Sequence, residues 1–361
     1  MYFALGKALS AAAFLALLAP AVMAAEKPAA TVNQVIESVR GGLAQKKDDK
    51  QIAKDLSKLK LGERLELVVL DYMESEGAGP RAMEQLGELA DASETLLPPT
   101  PPPAFPHPSL PSRDEMAAAI HHARAFAGNY AAQLPDFLCD EDITRYEDLR
   151  GRGVWSKRDT LDVRLSFEDR VERDKLVAMN GRATTASLVQ VSGAVTSGEF
   201  GALMFQILDP ASNGKFRWDH WTLLRTRPTQ VYSFRIDAKD SRYRLAFGNT
   251  LADKQETQPA MEGFLYLDGD TKDVVRIVNH AADIDPSFPV RVASTRLDYA
   301  TQDVGDKTFV LPLHAETRMD TALIRTRNVT HFKDYRKFSG ESTITFGDPD
   351  EAAPPPKIKH Q

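Results

Sequence analysis

The chain has 361 residues, 42% of them hydrophobic and 27% charged, the composition of a globular protein with apolar material for a sizeable core. Its formal net charge of -6 and pI near 5.8 exclude general nucleic-acid binding, which needs a basic field to displace counterions from phosphates. The expected partners are proteins, lipids or small molecules.

The first stretch, MYFALGKALSAAAFLALLAPAVMAAEKP, has a basic residue, Lys7, ahead of an apolar run from Ala8 to Ala19, a break at Pro20 and small residues at Val22 and Ala24. It reads as a cleavable signal peptide over residues 1–24, which places the mature protein in the periplasm or outside the cell. No cysteine stands near the cleavage site, so no lipid attachment is expected there. No later segment is long and apolar enough for a membrane helix, and an integral membrane protein is not expected. The one cysteine, Cys139, has no partner for an intramolecular disulfide and reads as a buried packing thiol.

Residues 29–97 carry a helical period in short pieces. Thr31-Val-Asn-Gln34 is a capping box, followed by Val32, Val35, Ile36, Val39 and Leu43 on one face. Ile52, Ala53, Leu56 and Leu59 make a second piece, Leu65 to Met73 a third, and Pro80 opens a fourth that carries Met83, Leu86 and Leu89. This is a small helical module. Residues 98–111 follow, with eight prolines in fourteen positions, an extended polyproline II linker between two domains.

The third unit, residues 112–346, opens with a second capping box, Ser112 to Glu115. It starts a helix whose Met116, Ala119, Ile120, Ala123, Phe126, Ala127 and Tyr130 share a face. His121 and His122 lie about 100° apart on that helix and are poorly placed to share a metal. Beyond Asp136 the period changes to two. Alternating runs at 161–165, 216–224, 231–236, 243–247, 264–267, 274–278, 290–297, 309–313, 323–332 and 344–346 predict an antiparallel sheet in meander order, one face wet and one packed. A third capping box, Thr196 to Glu199, predicts a helix inside this series with Phe200, Leu203, Met204, Ile207 and Leu208. Residues 347–361 read as a disordered tail.

Motifs for chemistry are scarce. The acidic knot Asp268-Gly-Asp-Thr271 fails as a calcium loop, because its fifth, sixth and twelfth positions are Lys272, Asp273 and Asn279; a hairpin turn explains the same residues. Serine-hydrolase elbow, zinc-protease, Walker, dinucleotide and Cys-x-x-Cys motifs are absent, so no catalytic residue, metal or cofactor is expected and the protein is not read as an enzyme. In Phe216 to Trp221 the alternation puts Phe216, Trp218 and His220 on one face and Trp221 on the other. Arg325, Arg327, Lys333, Arg336 and Lys337 form a basic run that suits either a solvated strand face or an anionic partner.

The stretch LYLDGDTKDVVRI, the order of long helix, strands and inserted capped helix, and the phrases LPDFLC and DYRKFSGES carry a resemblance. Residues 112–346 resemble the half-barrel of periplasmic lipoprotein carriers of the LolA type and their relatives, including sigma-factor regulatory sensors, and uncharacterised secreted bacterial proteins. The resemblance implies an α+β fold, a curved antiparallel sheet packed on helices around an acyl-binding cavity, here with an added N-terminal helical module. No binding residue of the carriers matches a position in this chain. The candidate pocket lining, Phe126, Tyr130, Phe200, Phe216, Trp218 and Phe234, either lines such a cavity or fills it. The expectation is an exported carrier for a lipid or acylated peptide. The alternative is a non-catalytic envelope scaffold or sensor whose helical module binds a protein partner.

Overall fold

The structure is a computed structural model that describes residues 29–149, 151, 155–188, 191, 199–248 and 254–338. The segments expected to be a signal peptide, a strand at 344–346 and a disordered tail at 347–361, and residues 196–198 of the expected third capping box, lie outside the described residues.

The N-terminal helices begin where capping chemistry dictates. In α1 (Val32–Ala44) Thr31 Oγ1 accepts from the Gln34 N–H at 3.2 Å, and Gln34 Oε1 accepts from the Thr31 N–H at 2.9 Å. Asp48 caps α2 (Asp49–Leu56), and Pro80 occupies the first turn of α4 (Pro80–Ser93), with α3 (Leu67–Ser75) between them. Their apolar faces make a core of their own around Val35, Val39, Leu56, Met73 and Leu86. The second capping box also forms, and Ser112 and Glu115 start α5 (Arg113–Gln133).

The sheet strands are β1 (Phe137–Asp148), β2 (Ser156–Glu168), β3 (Val171–Met179), β4 (Arg182–Ala183), β5 (Lys215–Leu224), β6 (Arg227–Ile236), β9 (Ala260–Asp268), β10 (Val274–Ala282), β11 (Val290–Val304), β12 (Lys307–Thr321) and β13 (Arg325–Lys337). They form one curved antiparallel sheet in the order β4-β3-β2-β1-β13-β12-β11-β10-β9-β6-β5. The class is α+β, as expected, but the order is not a plain meander. The first sheet strand pairs with the last, β6 pairs with β9, and β7 (Leu245–Phe247) with β8 (Gln255–Thr257) makes a separate ribbon.

Strand registers fix which residues share a face. Ala315, Leu297, Ile277, Leu265, Tyr232 and Trp218 stand opposite one another in successive strands, and their side chains enter the large core with α5 and with α6 (Ala202–Leu208). This is the inner face. The opposite, outer face is not wet as the alternation suggests: α3 packs on β5, and charged side chains of α3 and α4 pair with arginines on β10 to β13. The proline segment carries the chain from the outer to the inner side. Phe105 stacks on Tyr72 of α3 at 4.1 Å, and the Ser109 carbonyl accepts from Trp221 Nε1 on the edge strand β5 at 3.1 Å.

The helix α6 is capped by Gly201 at φ 112°, not by the residues of the third capping box, and the cap makes no side-chain hydrogen bond. A Cβ at position 201 would lie 2.6 Å from Tyr130 Cδ1, so α6 meets α5 through the missing side chain. Gly201→Ala is expected to destabilise the protein by about 2 kcal/mol, from the left-handed φ and the clash together. Thermal denaturation checks it, and an unchanged midpoint counts against this contact.

Candidate functional site

All six candidate lining residues join the same inner core, Tyr130, Phe200 and Phe234 fully buried and Phe126, Phe216 and Trp218 partly so. The core brings them to three places. Phe126 and Tyr130 lie side by side on α5 at 5.6 Å between ring centroids, and the Tyr130 hydroxyl donates to the Val310 carbonyl. Phe200 packs among Phe137, Phe167, Phe332 and Tyr335. Phe216 meets Phe234 at 6.3 Å, and Trp218 meets Tyr232 edge-on at 5.5 Å. In this structure these rings pack against their neighbours, and neither of the two clefts described below is lined by them.

The edge strand departs from its predicted alternation. A bulge at Asp219 sends His220 to the outer face, while Trp218 and Trp221 stay within 5.5 Å of each other. His220 Nδ1 lies 2.6 Å from Asp219 and Nε2 3.4 Å from Asp71 of α3. Burial opposes its protonation, but the two carboxylates outweigh this and hold it up to about 9. A raised folded value contributes stability that is complete below the unfolded pKa of about 6.5 and is lost as pH rises through 9. The melting temperature is therefore expected to fall a few degrees further between pH 6.5 and 9 in the wild type than in His220→Gln. Parallel curves across that window would refute the ion pair.

His220 borders a buried ion network beneath α3. Asp71 accepts from the Tyr266 hydroxyl at 2.9 Å, Glu74 accepts from Arg276 at 2.9 Å and from Arg296 at 2.6 Å, and Arg276 also pairs with Asp298. Burial opposes ionisation of Asp298, yet the Arg276 and Arg296 guanidiniums hold it well below the usual carboxylate range. Further along the outer face, Arg318, Arg325 and Arg327 stack within 6 Å of Trp155 and pair with Asp91, Glu88 and Glu84 of α4. Part of the predicted basic run is thus an internal partner for α4, and Lys333 and Arg336 pair with Asp142 and Asp140.

The acidic knot is the β9–β10 turn. Asp268 accepts from the backbone N–H groups of Asp270 and Thr271, and its carboxylate is held by Arg227 at 2.6 and 2.9 Å. Next to it Asp273 lies 3.1 Å from His122 Nε2, which ties the turn to α5. Cys139 is fully buried and its thiol is pushed up by burial, so it packs as a neutral group. One cleft of about 580 Å³ runs along β1 and β2 beside Asp140, Asp162, Arg164 and Lys333, and another of about 280 Å³ lies among Arg225, Arg227, Asp268 and Thr301. The first is lined mainly by polar groups and the second mainly by apolar ones, among them Leu224, Val275, Tyr299 and Val310, and no group of three metal-ligating side chains is arranged for a cation among the described residues. No helix among the described residues is long and apolar enough to cross a membrane.

The inner face also holds a row that sequence reading missed. Arg145, Asn328, Thr317, Thr295 and Asn279 stand opposite one another on β1, β13, β12, β11 and β10, one step along from the apolar row. Arg145 is bidentate to Asp159 of β2, both contacts at 2.6 Å. Asn279 is fully buried, and neither its Nδ2 nor its Oδ1 has a hydrogen-bond partner. The only sequence signal was polar residues at inward positions of otherwise apolar strands.

No protein-family model and no curated protein matches the chain. Among solved structures it is similar to a DUF1329 family protein from Desulfovibrio piger, at 9% identity over 62% of this chain and 93% of that one, with a TM-score of 0.31. It is similar to a LolA superfamily protein from Nitrosomonas europaea, at 9% identity over 62% and 93%, with a TM-score of 0.28. A putative outer membrane lipoprotein-sorting protein domain from Vibrio parahaemolyticus is similar at 11% identity over 62% and 94%, with a TM-score of 0.29.

Proposed function

We propose that the chain is an exported, non-catalytic carrier that takes the acyl chain of a lipid or acylated peptide between the inner face of its sheet and the helices α5 and α6. The observation that carries this reading is the build of the cover. The buried stripe of α5 is Ala119, Ala123, Ala127 and Tyr130, and α6 is a seven-residue helix with no side-chain cap, held by Leu203, Met204, Ile207 and Leu208. Apart from the Tyr130–Val310 hydrogen bond and the His122–Asp273 pair, the contacts named for this cover are apolar, and apolar contacts can be exchanged for those of an acyl chain, each buried CH₂ contributing roughly 0.8 kcal/mol. Phe126, Tyr130, Phe200, Phe216, Trp218 and Phe234 would then line the opened space.

A second reading is favoured by the tight packing of those same rings: an envelope scaffold or sensor with a filled core, acting through protein contacts of α1 to α4. One experiment separates the two. The protein is purified gently from the exported fraction and weighed by native mass spectrometry before and after organic extraction, and then offered a fluorescent fatty acid. The carrier reading expects a stoichiometric acyl adduct or saturable uptake. A clean apo mass with no uptake sinks it and leaves the scaffold.

A further inference from the structure

We infer that Asn279 is the polar anchor of the inner face and that the group it takes is a neutral primary amide, as in a fatty amide or an amidated peptide end; the inference rests on the carrier reading. Ile277 of β10 enters the apolar core, and Asn279, two residues on with no register shift between them, points to the same side. An amide buried with both ends unpaired costs about 1–3 kcal/mol, and such a cost in a native sheet marks a place kept for a partner.

The surroundings define that partner. Across β9 the residue opposite Asn279 is Gly263, at φ 155°, where a Cβ would lie 1.9 Å from the Val278 carbonyl oxygen, so position 263 itself sends no side chain towards Asn279. On its other side stands the Thr295 hydroxyl, and the charge of the row, Arg145, is already neutralised by Asp159. The row therefore suits a neutral polar group better than an anionic head group. Nδ2 needs an acceptor and Oδ1 needs a donor. An ester or carboxylate offers acceptors only, an ammonium donors only, and a single hydroxyl oxygen cannot face both ends in line. A trans secondary amide points its carbonyl and its N–H in opposite directions, whereas a primary amide carries an N–H syn to its carbonyl and meets both.

The test uses the full mature chain and two probes of equal chain length, palmitamide and methyl palmitate, with dissociation constants read from tryptophan fluorescence or displacement of a fluorescent fatty acid. The wild type is expected to bind the amide roughly tenfold more tightly than the ester, the worth of about one net buried hydrogen bond. In Asn279→Leu the ratio is expected to fall to about one, and the ligand-free variant to melt at or above the wild-type temperature, because it removes an unpaired polar group. Equal binding of both probes by the wild type overturns the inference and leaves the carrier reading standing. Binding of neither overturns both. A variant that melts lower, or does not fold, means that the amide already has partners, such as a buried water, and also overturns it.

Discussion

Arg276→Ala is expected to lower the stability of the protein by roughly 3–5 kcal/mol, because it leaves buried carboxylates without their counter-charge. Arg276 is 3% exposed and contacts Asp298, Glu74 and Asp71, and its guanidinium also lies 5.4 Å from the Tyr266 ring. These groups come from α3 on one side and from β9, β10 and β11 on the other, so the loss falls on the joint between helices and sheet. Urea unfolding followed by tryptophan fluorescence and by far-UV circular dichroism measures it. The double variant Arg276→Met/Asp298→Leu is expected to recover part of the loss, since replacing an ion pair by apolar groups of similar volume removes the desolvation cost of both. A single substitution that costs under about 1 kcal/mol, the range of an exposed pair, would show that the network is not closed to solvent.

Glu141→Gln is expected to stabilise the protein by about 3 kcal/mol at pH 7 and to leave it unchanged at pH 4. Glu141 points inward on β1 opposite Val163 and is 8% exposed. Burial, and then Asp174, Glu199 and Glu172, push its carboxyl up to about 9. A raised value means that the protonated form suits the fold. Its contribution is intact below the unfolded pKa near 4.5 and declines as pH rises through 9, and at pH 7 the unfolded chain has gained an ionisation that the folded one forgoes. Denaturant midpoints at pH 4, 5.5 and 7 test this. The interval from 4.5 to 6.5 belongs to Glu141 alone of the two groups, since His220 acts only above it. If wild type and Glu141→Gln lose stability in parallel over that interval, the carboxyl is solvated and the expectation fails.

Much of the local structure was legible. The capping boxes at Thr31 and Ser112 form as the residue types require, Pro80 begins its helix, and the alternating runs between 161 and 332 fall on strands. The misreadings have a common physical cause, charge where a local pattern expects none. The strands β1 and β3 show no clean alternation, because Glu141, Arg145, Glu172 and Asp174 take inward positions and interrupt the period. Glu74, Glu84 and Glu88 look like a solvated helix face, but their partners are arginines some 200 residues away, as Glu74 and Arg276 show at a separation of 202. The bulge that turns His220 outward is set by pairing with β6, which alternation within β5 cannot reveal. The polar row of the inner face needs registers across five strands, which the period of any single strand does not carry.

The pairing of β1 with β13 governs how this sheet comes together. Lys333 and Asp142, neighbours across that pairing, are 191 residues apart, so the strand formed earliest waits for the one made last. Closing so long a loop is entropically slow, and contacts of this kind depress folding rates. Until β13 arrives, the wing β1 to β4 has an unpaired edge at β1. A chain that emerges from its N-terminus thus spends its synthesis as an incomplete sheet, and its exposure to aggregation is set by the time taken to deliver the last strand.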